Sequence, residues 1–104
     1  MIFVSDTYNN CVKVFDQSGT FLHKIGKQGK QNGQFNQPYL MHIDSSNNLL
    51  VCDYGNNRVQ QFSSDGRFTG KSNAVLEGPV GITTAPDGRI LVTSCAEKKV
   101  YILK

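Results

Sequence analysis

A repeat of 47 residues constrains the fold of this chain more than any other feature. Residues 4–15 return as residues 51–62 without a gap, and a weaker third copy appears after a shift of 41, where Pro38 aligns with Pro79. A period of about 40 to 50 residues is typical of repeat architectures, in which each unit buries its faces against its neighbours. The sequence therefore predicts a repeat fold and not a domain with one private core.

The middle copy indicates how one repeat is built. Strand-like segments cover residues 40–43, 49–52, 59–62 and, more weakly, 68–71, and turn sequences rich in Ser, Asn, Asp and Gly separate them. This pattern predicts four short antiparallel strands, and no stretch has the helical period and caps that predict a long helix. Four strands per repeat of this length are typical of a β-propeller blade, whose strands run from a to d outward from the ring axis.

The phase of the repeat predicts how many blades these residues form. The chain holds strands b-c-d, then a-b-c-d, then a-b-c, in units over residues 1–26, 33–71 and 76–104. We therefore predict an all-β partial propeller of about two and a half blades. Because such a piece exposes apolar faces and unpaired edges, we expect it to be part of a closed ring whose remaining blades lie outside these residues.

The second copy carries the motif of a known family. Residues 50–62 read LVCDYGNNRVQQF and residues 33–38 read GQFNQP, and both resemble an NHL repeat. The first copy keeps the pattern, whereas the third has Ser94 in place of the aspartate. The chain is most similar to the C-terminal NHL region of TRIM-type (tripartite motif) proteins. The resemblance implies a six-bladed ring and a role as the target-recognition part of a TRIM-type ubiquitin ligase or a related scaffold.

The two faces of the predicted ring differ in charge. In a four-stranded meander, the b–c turns and d–a links emerge on one face, and the a–b and c–d turns emerge on the other. The first face, which we name the binding face, is basic: it carries Lys27, Lys30, Arg58, Lys71, Lys98 and Lys99 against Asp6, Asp53, Glu77 and Glu97. The opposite face is acidic: it carries Asp16, Asp44, Asp65 and Asp87 with only Arg67 and Arg89.

The binding face also combines cations with tyrosines and amides. This composition suits single-stranded RNA, because cations hold phosphate, rings stack on bases and amides read base edges. It equally suits a protein partner, because Tyr and Arg dominate protein hot spots. The sequence leaves both partner classes open. The predicted contact residues are Tyr8, Asn10, Tyr54, Asn57, Arg58, Lys98 and Lys99.

Three candidate chemical sites have simpler structural interpretations. Asp6 and Asp53 each precede an asparagine, as in calcium sites, but we expect each carboxylate to accept backbone N–H bonds in its own turn. His42 is a candidate metal ligand on an innermost strand, but a metal site needs three or four converging ligands. We predict no catalytic residue, no metal site and no cofactor. A metal-dependent lyase or lactonase is the alternative function.

The amino-acid composition narrows the choice of cellular compartment and of binding partner. Three unclustered cysteines, an odd number, suit a reducing compartment. No apolar run approaches the roughly 20 residues that cross a bilayer, and the first residues do not resemble a signal peptide. We therefore expect a cytoplasmic protein with no membrane partner. The net charge of +3 permits an anionic partner without requiring one.

Overall fold

The computed structural model describes residues 1–72, 75–96 and 98–103 as three antiparallel sheets. The sheet orders are β1-β2-β3, β4-β5-β6-β7 and β10-β9-β8, so only the middle sheet has four strands. This arrangement confirms the predicted all-β partial propeller. The strands are β1 (Ile2–Asp6), β2 (Cys11–Phe15), β3 (Phe21–Ile25), β4 (Pro38–Ile43), β5 (Leu49–Asp53), β6 (Arg58–Phe62), β7 (Phe68–Lys71), β8 (Pro79–Thr84), β9 (Ile90–Ser94) and β10 (Val100–Leu103).

The inner strands β4 and β8 both begin at a proline, two residues before the apolar run that predicts β4. Pro38 pairs with Asp53 across the sheet, and the register shifts between Pro38 and Met41. The same shift occurs in β8, between Pro79 and Gly81. A proline at the first position of a strand removes no ladder hydrogen bond that the sheet needs. The proline therefore sets where each blade begins.

The middle sheet is buried on both faces because it lies between the other two. Leu49 and Val51 pack with Val12 and Val14 in a core shared with the first sheet. Successive side chains of a strand point to opposite faces, so Cys52 joins a second core with Val92 of the third sheet. Every residue of β5 is buried. Each pair of neighbouring blades thus shares one core, as the repeat predicts.

The turns between strands b and c contain the helical elements of the described residues. They are two 3₁₀ turns, Thr7–Asn9 and Tyr54–Asn56, which end at Asn10 (φ 56°) and Asn57 (φ 54°). Asn tolerates this left-handed backbone better than most residues. Within the part of the chain that is described, no helix is long and apolar enough to cross a bilayer.

The same two asparagines tie each blade to the next one. The Asn10 Oδ1 atom accepts a hydrogen bond from the Gln37 N–H at 2.8 Å. The Asn57 Oδ1 atom accepts one from the Gly78 N–H at 3.0 Å. Gln37 and Gly78 both directly precede the proline that starts an inner strand. In the third copy Lys98 keeps the left-handed backbone (φ 52°) but has no side-chain acceptor to offer.

Candidate binding face

The link between β3 and β4, residues 26–37, folds over the second 3₁₀ turn. The Asn56 side-chain amide donates to the Gly29 carbonyl oxygen at 2.8 Å, and the Gly55 N–H donates to the Asn36 carbonyl oxygen at 2.7 Å. The link is anchored below by Phe35, which is fully buried. The d–a link and the b–c turn therefore share one face, as expected for a meander.

A buried carboxylate holds the link in place. Asp53 is fully buried and accepts hydrogen bonds from the Asn36 N–H at 2.8 Å and the Asn56 amide at 2.9 Å. It also accepts bonds from Arg58 Nε at 2.8 Å and Gln60 Nε2 at 3.1 Å. We predicted that the Asp53 carboxylate accepts backbone N–H bonds from its own turn, and this prediction is wrong. Among the described residues, the one backbone N–H that bonds to the carboxylate belongs to Asn36 of the link.

Arg58 is part of the same buried network and corrects the prediction of an exposed contact residue. Only 8 % of Arg58 is exposed. Its Nη2 atom donates to the carbonyl oxygens of Gln31 at 2.8 Å and Gln34 at 2.9 Å, while Nε pairs with Asp53. The link covers the guanidinium, and the carboxylate compensates its charge. Arg58 thus supports the face from beneath.

Gln60 completes the network and was not among the predicted residues. It is fully buried, donates to the Gln34 carbonyl oxygen at 2.6 Å and accepts from the Gly33 N–H at 2.8 Å. Strand periodicity contains the signal for this placement, because Gln60 lies on the same side of β6 as Phe62 and Arg58. A polar residue on that side must find partners inside the protein.

The equivalent aspartate of the first blade is in a different environment. Asp6 is partly exposed and pairs with Lys13 Nζ at 2.9 Å and with the Asn9 amide at 3.0 Å. The hydrogen bond from Lys13, followed by that from Asn9, lowers the pKa of the Asp6 carboxyl below its ordinary value. Among the described residues Asp6 therefore uses side-chain donors, and not the backbone donors of its own turn that we predicted.

The accessible aromatic surface of the face lies on the two 3₁₀ turns. Tyr8 is 82 % exposed. The half-buried Tyr54 stacks on Tyr39, with ring centroids 4.8 Å apart and planes inclined by 13°. The Thr7 hydroxyl donates to the Pro38 carbonyl oxygen at 2.9 Å, which brings the first turn next to the strand that carries Tyr39. These tyrosines offer ring surface close to one another on the same face.

The charge that the face offers to a partner comes from lysines. Lys27, Lys30 and Lys98 are exposed and belong to none of the ion pairs found among the described residues. Lys99 is also exposed, and its ammonium lies 4.9 Å from the centroid of the Tyr101 ring. Asn10 and Asn57, which we predicted as contact residues, have their side-chain oxygens engaged in the blade-to-blade bonds. The structure thus brings Tyr8, Tyr54, Lys98 and Lys99 to the accessible surface.

A shallow depression lies beside these lysines. Its volume is about 330 Å³. It is the space left between the link and the second 3₁₀ turn, and Lys30 is the charged residue among those that line it. The lining residues are Gln28, Gly29, Lys30, Asn36 and Asn56.

His42 has a protein partner across the boundary between two blades. Its Nε2 atom lies 2.9 Å from the Thr84 hydroxyl, so the side chain bridges β4 and β8. In the ranges that the structure describes, no group of three or more His, Cys, Asp or Glu side chains is arranged to hold a metal ion.

Comparison with known proteins adds a family context to this geometry. Residues 1–80 match a family model described as a 6-bladed beta-propeller. The chain is 31% identical to Protein brain tumor of Drosophila melanogaster over 97% of its length, and 33% identical to human NHL repeat-containing protein 3 over 83%. It is 40% identical over 48% of its length to mouse E3 ubiquitin-protein ligase TRIM32. These matches span 10%, 26% and 8% of the relatives' own lengths.

Proposed function

The chain belongs to the six-bladed β-propeller family of the NHL-repeat type, and we propose that it is a non-catalytic binding module for an acidic protein partner. The observation that carries the proposal is the combination, on one face, of exposed Tyr8 with Lys27, Lys30 and Lys98, which belong to no ion pair found among the described residues. Lysines attract an anionic surface and raise the rate of encounter. Tyrosines provide large contact area with little side-chain entropy to lose.

The internal hydrogen bonds of the polar side chains on this face favour a protein partner over single-stranded RNA. Specific reading of bases needs free amide and guanidinium groups. Arg58 is committed to Asp53 and to the link, and the side-chain oxygens of Asn10 and Asn57 hold neighbouring blades. Of the predicted contact residues, Tyr8, Tyr54 and Lys98 take part in none of these bonds, and tyrosine and lysine suit a protein surface of opposite charge. RNA is the alternative outcome of the test.

Site-specific photo-crosslinking distinguishes these partners. A photo-reactive phenylalanine derivative replaces Tyr8, and a matched control replaces Gln17, which is exposed on the opposite face of the same blade. After irradiation in cells that produce the chain, the adducts are digested separately with protease and with ribonuclease. We expect a protease-sensitive adduct at position 8 that is absent at position 17. A ribonuclease-sensitive adduct at position 8, or equal protein adducts at both positions, refutes the proposal.

Charge reversal tests the electrostatic part of the proposal. Lys30→Glu and Lys98→Glu should each reduce the yield of the adduct at position 8 several-fold, and added salt should reduce it further. Arg67→Glu on the opposite face is the control and should leave the yield unchanged. An adduct that is insensitive to both lysine changes contradicts an acidic partner.

The finer proposal is that the partner is a target of a TRIM-type ubiquitin ligase or a related scaffold, in the cytoplasm. Two relatives, TRIM32 and human NHLRC1, are named E3 ubiquitin-protein ligases, which supports this context. Three cysteines without a disulfide support a reducing compartment. The test is whether the partner captured at position 8 gains ubiquitin in cells that express the natural gene. Ubiquitin levels that are unchanged by Tyr8→Ala contradict it.

A further inference from the structure

A groove of about 580 Å³ runs between the second and third blades on the face opposite to the binding face. We propose that this groove binds the basic side chain, lysine or arginine, of an extended peptide. The proposal concerns different residues from the binding face and does not depend on the function proposed there. The lining of the groove includes Asp44, Ser46, Thr84, Ala85, Pro86 and Ile90.

The charge of the groove comes from Asp44, the one ionisable residue in its lining. The Asp44 Oδ1 atom accepts N–H bonds from Ser46 and Asn48, both at 2.9 Å. Partial burial acts to raise the pKa of this carboxyl, but the hydrogen bonds from Asn48 and Ser46 outweigh it and hold the pKa below its ordinary value. The groove therefore carries a negative charge at neutral pH with no lining cation to compensate it.

Asp44 also keeps room for a ligand. Its Oδ2 atom accepts a single bond within the described chain, from the Asn48 side-chain amide at 3.2 Å. A carboxylate oxygen has two lone pairs, so one acceptor position stays open. Arg89 lies in sequence between the lining residues Gly88 and Ile90, and it pairs with Asp87 at 2.8 Å. A cation from a partner is thus the group that complements this site.

The rest of the groove suits the aliphatic part of a basic side chain. Leu50 is almost fully buried, and Pro86 and Ile90 present apolar surface from the third blade. Lysine and arginine bury their methylene stems on apolar surface while their charged ends stay near water. The hydrogen bond between His42 and Thr84 holds the two blades together at this boundary. The volume lies within the range of roughly 300–1,000 Å³ that is usual for ligand sites.

Nuclear magnetic resonance titration of the 15N-labelled chain tests the proposal. The probe is the blocked peptide acetyl-Ala-Arg-Ala-amide, and the same peptide with norleucine in place of arginine is the ligand control. We expect saturable shifts of the Ser46, Thr84 and Gly88 amide signals with a millimolar Kd for the arginine peptide. The norleucine peptide should bind at least about fivefold more weakly, which corresponds to about 1 kcal/mol of charge attraction.

Two variants and one matched control make the assignment specific. Asp44→Asn keeps the turn acceptor but removes the charge, and should weaken binding about fivefold. Ala85→Trp fills the groove without touching Asp44, and should abolish the shifts. Asp16→Asn is the control, because Asp16 accepts the same pattern of turn hydrogen bonds from Ser18 and Thr20 in the first blade. The proposal is overturned by any of three results. The first is a set of shifts outside the groove, and the second is the absence of shifts at 10 mM peptide, about ten times the expected Kd. The third is an equal effect of Asp16→Asn and Asp44→Asn on binding.

Discussion

Replacing Asp53 by alanine should destabilise the chain far more than the same change at Asp6, although the two residues occupy one repeat position. Asp53 is fully buried and accepts four hydrogen bonds, one of them from the buried Arg58 guanidinium. Asp6 is partly exposed, and its partners Lys13 and Asn9 reach water without it. The contrast follows from burial and from the buried Arg58 partner, because the residue type and the kind of turn are the same.

The magnitude can be worked from the contacts that are lost. Removing one member of a buried ion pair costs about 3–5 kcal/mol, because the other charge stays buried without a partner. The Gln60 amide loses one acceptor but keeps the Gln34 carbonyl, so it adds little. We therefore expect Asp53→Ala to lower the free energy of unfolding by about 4 kcal/mol. With a urea slope of about 2 kcal/mol per M, the unfolding midpoint falls by about 2 M.

Urea unfolding followed by circular dichroism and tyrosine fluorescence measures both variants. Asp6→Ala should leave the midpoint close to that of the unmodified chain. Asp53→Asn keeps the shape and one acceptor oxygen, so it should lie between Asp53→Ala and the unmodified chain. If Asp6→Ala and Asp53→Ala shift the midpoint equally, the buried network does not stabilise the fold in the way that we infer.

Three further predictions concern backbone and thiol positions. In urea unfolding, Gly26→Ala should lower the free energy of unfolding by roughly 2 kcal/mol more than Gly19→Ala. Both glycines have a left-handed φ, but of the two only Gly26 has a side chain, the Phe35 ring, within 2.5 Å of the position that a Cβ would take. Equal losses of stability would contradict this reasoning. Asn57→Ala should lower the free energy of unfolding by about 2 kcal/mol, and Asn57→Gly by about half as much. Glycine tolerates the left-handed backbone at this position but cannot make the hydrogen bond to Gly78. The reverse order of the two variants would refute the role of Asn57 in joining the blades. Iodoacetamide at pH 8 should modify Cys95 alone in the native chain, as read by mass spectrometry. Cys11 is buried, and burial raises the pKa of the Cys52 thiol to about 12, so neither forms a reactive thiolate readily. Rapid labelling at Cys52 would contradict its placement.

The repeat predicts most of the fold because strand and turn signals are local. Alternating apolar residues and the Asn-Asn and Asp-Gly turns define the strands without knowledge of tertiary contacts. The hydrogen bonds of the site residues, in contrast, join residues that are far apart in sequence. Arg58 bonds to carbonyl oxygens 24 and 27 residues away, so its burial depends on how the link folds. Aligning Asp53 with Asp6 suggests equal roles, but the first blade has Cys11 at the position of Arg58.

The direction in which the repeats are synthesised gives the buried network a further property. Every partner of Asp53 and Arg58 described above lies between residues 31 and 60. Pro79, the first residue of β8, is 19 residues after Gln60, so at about 5–20 residues per second it leaves the ribosome roughly 1–4 s later. The link can therefore close over the middle blade before β8 emerges from the ribosome, and the third blade docks onto a neighbour that is already formed. Vectorial synthesis thus favours the correct order of blades, because the long link is no longer free to capture a later turn.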